Sequence, residues 1–189
     1  MMVTTTPVTI RRADPERDAE SIATIYRPAV EASSASFEET APDAANMARR
    51  IQRILRRTPW LVADEHGTGV IGYAYARRHH ERAGYRWSVD VSAYVRPDRL
   101  GRGVGRQLYN VLIPTLRRQG FVNVYAGIAL PNPASVALHE STGMRQIGVY
   151  RQIGYKLGAW HDVAWYGMQI NPPEPRPPRP VLYPSLPPD

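Results

Sequence analysis

Tyr94-Val95-Arg96-Pro97-Asp98-Arg99-Leu100-Gly101-Arg102-Gly103-Val104-Gly105 opens as the end of a strand and closes as the start of a helix, with three glycines at alternate positions. Glycine suits a place where backbone must approach a ligand closely, and a helix N-terminus adds unpaired N–H groups and a positive dipole end. The loop therefore suits a pyrophosphate. Glycine-rich strand-to-helix turns also occur without a ligand, so the spacing alone leaves both readings open. The stretch lacks the Gly-Lys-Ser/Thr ending of a P-loop. It also comes too late in the chain for a first-unit dinucleotide fingerprint.

On its C-terminal side, Val104, Leu108, Leu112 and Leu116 recur every fourth residue and predict a helix over 103–119. Pro114 is expected to kink that helix and Gly120 to stop it. Strands are predicted over 121–130, 144–151 and 163–170, with a short helix over 133–142 between the first two. On the N-terminal side, 87–95 reads as a strand. The apolar runs 60–64 and 70–77 flank His66-Gly67-Thr68-Gly69 as a hairpin. Before them come a strand over 8–12, a helix from Asp14 or Pro15 toward Ser33 that Pro28 bends or ends, and a helix over 43–57. That second helix carries Met47, Ile51, Ile54 and Leu55 on one face. The order βααβββαβαββ is a mixed α/β class, with an antiparallel part followed by a βαβ unit.

The 189 residues suffice for one domain with a sizeable core, burying roughly 70% of the unfolded chain's surface. With no cysteine, the chain has no disulfides, thiol nucleophile, iron–sulfur cluster or cysteine-bound zinc. No apolar run approaches the roughly 20 residues that span a bilayer, and residues 1–18 lack the apolar core of a signal peptide, so a soluble cytoplasmic protein is expected. Half of the 18 prolines lie in the last nineteen residues, which divides the chain into a domain over 1–170 and a proline-rich tail over 171–189. The net charge of +7 suits an anionic small molecule or a nucleic acid. The arginines, however, come in scattered pairs such as Arg49-Arg50, Arg56-Arg57 and Arg77-Arg78, without a basic run, so a solvated surface is favoured over a nucleic-acid module.

The stretch 94–105 resembles the acetyl-CoA motif of GNAT-type N-acetyltransferases. Residues 58–63, 130–140 and 158–163 are similar to the phosphinothricin and methionine sulfone N-acetyltransferase branch, and the similarity covers about 10–170. The resemblance implies a mixed sheet of about seven strands, splayed in the middle and flanked by about four helices. It also implies acetyl-CoA as co-substrate, a small amino acid as acceptor, and a homodimer, while the composition and spacing point to no nucleic-acid, membrane or metal partner. Acetylation of other small amines is the alternative within the class.

Residue by residue, the resemblance assigns Ala93, Tyr94 and Val95 to pantetheine, the amides of Leu100, Gly101, Arg102, Gly103, Val104 and Gly105 to the pyrophosphate, and Asn132 and Ser135 to the cofactor. The family usually has Arg or Gln where Leu100 stands, so a rearranged cofactor contact is expected there. An ammonium must lose a proton before its nitrogen attacks a thioester, and Asp90 falls where relatives mostly carry a glutamate base. A strand carboxylate also commonly serves to bind a neighbouring arginine. His139 matches the branch's histidine for the thiolate leaving group, although a histidine on a helix surface is equally ordinary. Phe37, Arg82 and Tyr85 match acceptor-pocket positions, and Arg82 suits a bidentate grip on an anion. His79-His80 is disfavoured as a metal pair, because neighbours on a strand point to opposite faces. His161-Asp162 reads as a structural hydrogen bond.

Overall fold

In a computed structural model, which describes residues 7–186, a seven-stranded sheet runs in the order β1-β2-β3-β4-β5-β7-β6. Its strands are β1 (Val8–Arg12), β2 (Trp60–Glu65), β3 (Gly69–Arg78), β4 (Ser88–Val95), β5 (Asn123–Ala129), β6 (Arg145–Lys156) and β7 (Ala159–Gln169). Four α-helices flank it: α1 (Pro15–Glu31), α2 (Ala44–Leu55), α3 (Val104–Arg118) and α4 (Pro133–Ser141). The first six residues of the expected 1–170 domain and the last three of the 171–189 tail lie outside the described residues. No helix among the described residues is long and apolar enough to cross a membrane.

The helices begin where side chains satisfy their orphan amides. Asp14 accepts from the Glu16 and Arg17 amides, Asp43 from Asn46, and Asn132 from Ser135, with Pro15 and Pro133 opening their helices. Both α1 and α3 run on past their internal prolines, to Glu31 and Arg118. The sheet separates two cores. Leu61 and Ala63 pack with Leu108 and Leu112 on the α3 face, while Trp60 and Val62 pack with Ile22 and Ile51 on the α1/α2 face.

Two features place the site. Parallel pairing between β4 and β5 covers only Ser88–Asp90 against Asn123–Tyr125, and beyond it the two strands part. The outer hairpin is longer than the expected 144–151 and 163–170. Gln152 at φ 47° and a register shift between Tyr150 and Gly154 carry β6 onward, and Leu157 and Gly158, both at positive φ, close a two-residue turn back into β7. The extension rests on tertiary contacts. Lys156 Nζ donates to the carbonyls of Val30, Ser36 and Glu38, tying the hairpin tip to the α1–α2 connection.

The proline-rich segment lies along the body. Val181 N donates to the Gln119 carbonyl, Tyr183 N to Arg57, and Trp87 Nε1 to the Pro178 carbonyl. Gln119, 1% exposed, returns a bond from Nε2 to the Val181 carbonyl at 2.7 Å.

Candidate active site

Where β4 and β5 diverge they leave a cleft of about 310 Å³, lined by Ala93, Tyr94 and Val95 on one side and Gly127, Ile128 and Ala129 on the other. The edge of β4 that faces it has lost its ladder partner, and unpaired backbone N–H and C=O groups accept an extended, amide-bearing ligand as they would a strand. Asn132, Ser135, Leu138 and His139 close one end, and Leu100 flanks the opening.

The glycine loop follows directly. Gly101 and Gly103 sit at φ 73° and 76°, a region that side chains other than glycine rarely adopt, and a β-carbon on either would meet nothing within 4 Å. The space above them is open to a ligand. Gly103 caps α3, whose first intrahelical bond is Gln107 N to the Gly103 carbonyl, so the Val104, Gly105 and Arg106 amides have no partner within the helix. Gly105 itself is buried against Leu138. The loop is held from below by arginines committed elsewhere: Arg96 binds Asp98, and Arg99 binds both Asp98 and Glu65. Arg102 is exposed above it. Unpartnered amides thus stand beside an unladdered strand, an arrangement suited to an extended, amide-bearing ligand with an anionic group.

A second cavity, about 390 Å³, opens on the α1/α2 side and is lined by Asp90, Phe37, Arg77, Tyr150, Val163 and Trp165, among others. It shares Ala35, Val91, Ser92, Gly127 and Ala129 with the cleft, so the two meet at the splay. Asp90, 7% exposed, lines the second cavity next to the shared Val91. His79 Nδ1 lies 2.6 Å from Asp90 Oδ1, and Arg77 Nε is 3.7 Å from Oδ2. Because a carboxylate accepts, Nδ1 carries the proton. Burial pushes the Asp90 carboxyl above its usual range, while His79 and Arg77 pull the other way without cancelling the shift.

The sequence points to His79 only as half of a disfavoured metal pair, not as a partner of Asp90. The β3–β4 register, in which Arg77 faces Asp90 and the His79 amide bonds to the Ser88 carbonyl, makes it a diagonal neighbour of Asp90 on the same face. That register follows from the long loop between the strands, which no local pattern gives. Phe37 owes its place to Gly154, where any β-carbon would fall 2.4 Å from the ring.

The other expected residues are distributed as follows. Tyr85 lies in a 3₁₀ turn over Ala83–Tyr85, its ring 6.1 Å from His79 and 4.9 Å from His80. Arg82 begins the same turn, is exposed, and does not line the Asp90 cavity; Arg77 is the guanidinium that does. His139 is 4% exposed, with Nδ1 2.7 Å from the Ser135 carbonyl and Nε2 3.0 Å from the Tyr109 hydroxyl. Nδ1 therefore donates and Nε2 accepts, and burial lowers the pKa further toward the neutral imidazole. His161 bonds the Lys156 carbonyl, and Asp162 takes the Gln152 amide and the Arg151 guanidinium, so these two serve the hairpin separately.

Residues 10–165 match the family model of the acetyltransferase (GNAT) domain. The chain is 38% identical over 176 residues to a phosphinothricin N-acetyltransferase of Streptomyces viridochromogenes, covering 93% of this chain and 95% of that protein. It is 36% identical to an L-methionine sulfoximine/L-methionine sulfone acetyltransferase of Salmonella typhimurium, covering 87% and 95%. A GNAT superfamily phosphinothricin acetyltransferase from Sinorhizobium meliloti, solved in complex with AcCoA, superposes with a TM-score of 0.85 at 34% identity, over 93% of this chain and 98% of that one.

Proposed function

Since this chain belongs to the GNAT acetyltransferases and is an acetyl-CoA-dependent N-acetyltransferase, we propose that its acceptor is the α-amino group of a small amino acid whose side chain ends in a polar tetrahedral group, as in phosphinothricin or methionine sulfone and sulfoximine. The observation that carries this reading is the meeting of the two cavities at Val91, Ser92 and Gly127, directly beside Asp90. One cavity runs beside the unpaired end of β4; the other holds one carboxylate and one guanidinium.

Acetyl-CoA supplies an activated acyl group as a thioester. In our assignment, backbone groups of Ala93, Tyr94 and Val95 pair with the pantetheine arm. The amides of Leu100 to Gly105 hold the pyrophosphate, with Arg102 above them, and Asn132 and Ser135 close the far end. The acceptor ammonium sits in the second cavity between the Phe37 and Trp165 walls. Its carboxylate faces Arg77, and Arg82 and Tyr85 contribute from the loop outside. Asp90 Oδ2 takes the ammonium proton, directly or through one water, while Oδ1 stays bonded to His79; a raised pKa makes this carboxylate a better base than an exposed one. The free amine then attacks the thioester carbon, the C–N bond forms, and the C–S bond breaks. With no cysteine in the chain, transfer is direct in a ternary complex. The leaving thiolate falls to the end lined by Ser135 and His139. A neutral His139 gives it a proton only by releasing the Ser135 carbonyl, so we assign the first hydrogen bond to the Ser135 hydroxyl and the support of that helix turn to His139.

We further propose a cytoplasmic homodimer without nucleic-acid or membrane partners. Ile147, Tyr150, Ile153, Tyr155, Leu157 and Trp160 on the outer hairpin are each more than half exposed, an apolar surface of the kind that marks a protein interface. Tyr150 and Ile153 also line the acceptor cavity, so a second copy there would complete it.

The test is release of CoA thiol over a panel of amino acids. Turnover with phosphinothricin or methionine sulfone well above that with polyamines or aromatic amines is expected. Turnover confined to amines without an α-carboxylate overturns the acceptor assignment.

A further inference from the structure

Arginine pairs that are scattered in the sequence converge in the fold. Arg49, Arg53 and Arg56 follow one another at i, i+4 and i+7 along α2 and its C-cap, and Arg77 faces them from the end of β3. Two cavities of about 600 Å³ each lie between these elements. One is walled by Arg49, Arg53 and Arg77 over the stacked rings of Trp60 and Tyr75, whose centroids are 4.4 Å apart. The next is walled by Arg53, Arg56, Arg57 and Arg77. Arg77 also lines the Asp90 cavity, so all three spaces share one guanidinium.

The acids in this trough are already spoken for. Both oxygens of Glu38 are held by Arg50 at 2.7 and 2.8 Å and one also takes the Tyr26 hydroxyl, while Glu81 lies 3.3 Å from Arg78. Among the described residues, Arg49, Arg53, Arg56 and Arg57 have no carboxylate within 4.0 Å. Like charges at i, i+4 destabilise a helix, and here they are neither interleaved with acids nor spread around α2. They form a one-sided cationic wall over the Trp60 and Tyr75 rings, leading away from Asp90.

We propose that the acceptor region continues from Asp90 across Arg77 into this trough, and that it takes short peptides whose N-terminal amine is acetylated and whose second and third residues are acidic. The inference rests on the acetyl-transfer reading above and extends its substrate class. The chemistry is unchanged: the C–N bond forms at the peptide's terminal nitrogen, the thioester C–S bond breaks, and the ammonium proton goes to Asp90. The trough supplies orientation and electrostatic steering, which weaken as salt rises.

The experiment compares kcat/KM for the best free amino acid X of the panel, for X-Glu-Glu and for X-Ala-Ala. Wild type is expected to prefer X-Glu-Glu over X-Ala-Ala by at least about tenfold at low salt, a ratio that 0.5 M NaCl reduces. In Arg49→Glu/Arg53→Glu the ratio should fall to about one or below, with kcat/KM for free X within about twofold of wild type. Arg53→Gln, which keeps the helix free of a new charge, should give an intermediate ratio. A wild-type ratio near one, or a ratio that both variants leave unchanged, overturns the trough while leaving amino-acid acetylation standing. Failure of wild type to acetylate X or either peptide overturns the acetyl-transfer reading and the trough with it.

Discussion

The Nδ1–H of His79 points at Oδ1 of Asp90 across 2.6 Å, in a diagonal contact between neighbouring antiparallel strands, at a carboxylate that lines the second cavity. One oxygen is hydrogen-bonded and the other meets only a distant guanidinium, so the two oxygens of the buried carboxylate are not equivalent. Arg77, at 3.7 Å, adds charge compensation without a tight ion pair.

Asp90→Asn is expected to lower kcat by about 10²- to 10⁴-fold, the usual loss of a general base, with CoA affinity retained because the cleft residues are untouched. Stability moves the other way. The folded carboxyl's pKa lies above the unfolded value, so the stability linked to this group is full below about pH 3.9 and is lost as pH rises through the folded pKa. At pH 7 the variant should therefore melt at or above the wild-type Tm, and the difference should close as pH falls toward 4. Calorimetry across that range checks it; a lower Tm at pH 7 contradicts the costly buried charge.

His79→Ala removes the bond that holds the Asp90 pKa down. The acid limb of kcat/KM, which rises with pH as the base ionises, should move to higher pH in the variant, with the activity lost on the acid side recovering as pH rises. An unmoved limb in the pH profile would take His79 out of the proton chemistry.

Gly103→Val forces a β-branched residue to φ 76°, a strain of about 1–3 kcal/mol that the loop relieves by moving. Calorimetric titration should show CoA binding weakened at least tenfold, and saturation by the acceptor much less affected. Equal CoA affinity in both proteins would mean that the loop does not hold the pyrophosphate.

Lys156→Met strips the donor shared by the Val30, Ser36 and Glu38 carbonyls. Unpartnered carbonyls of this kind cost about 1–3 kcal/mol, equivalent to roughly 2–12 °C in Tm for a chain of this size. Phe37 loses its anchor with them, so KM for the acceptor should rise while KM for acetyl-CoA holds. A Tm loss with both constants unchanged would make the tie purely structural.

The elements that repeat locally were readable along the chain. Val104, Leu108, Leu112 and Leu116 mark α3, Met47, Ile51, Ile54 and Leu55 mark α2, and the alternate glycines mark the strand-to-helix turn, because each depends on backbone preferences within a few residues. The family resemblance drew Asp90, Phe37 and the cleft strand from the same local stretches, and these do converge on the two joined cavities. What adjacency in the chain does not encode is which side chains meet across the sheet. The His79–Asp90 pair follows from a register set across a nine-residue connection, and the long outer hairpin from carbonyls more than a hundred residues away that engage Lys156. The arginine pairs look scattered because α2 and the end of β3 come together only when both pack on the same face. Side-chain direction along one element is a local property, but burial, pairing and pKa depend on neighbours brought in by the whole fold. For that reason the loop could be read from residues 94–105, while the state of Asp90 could not.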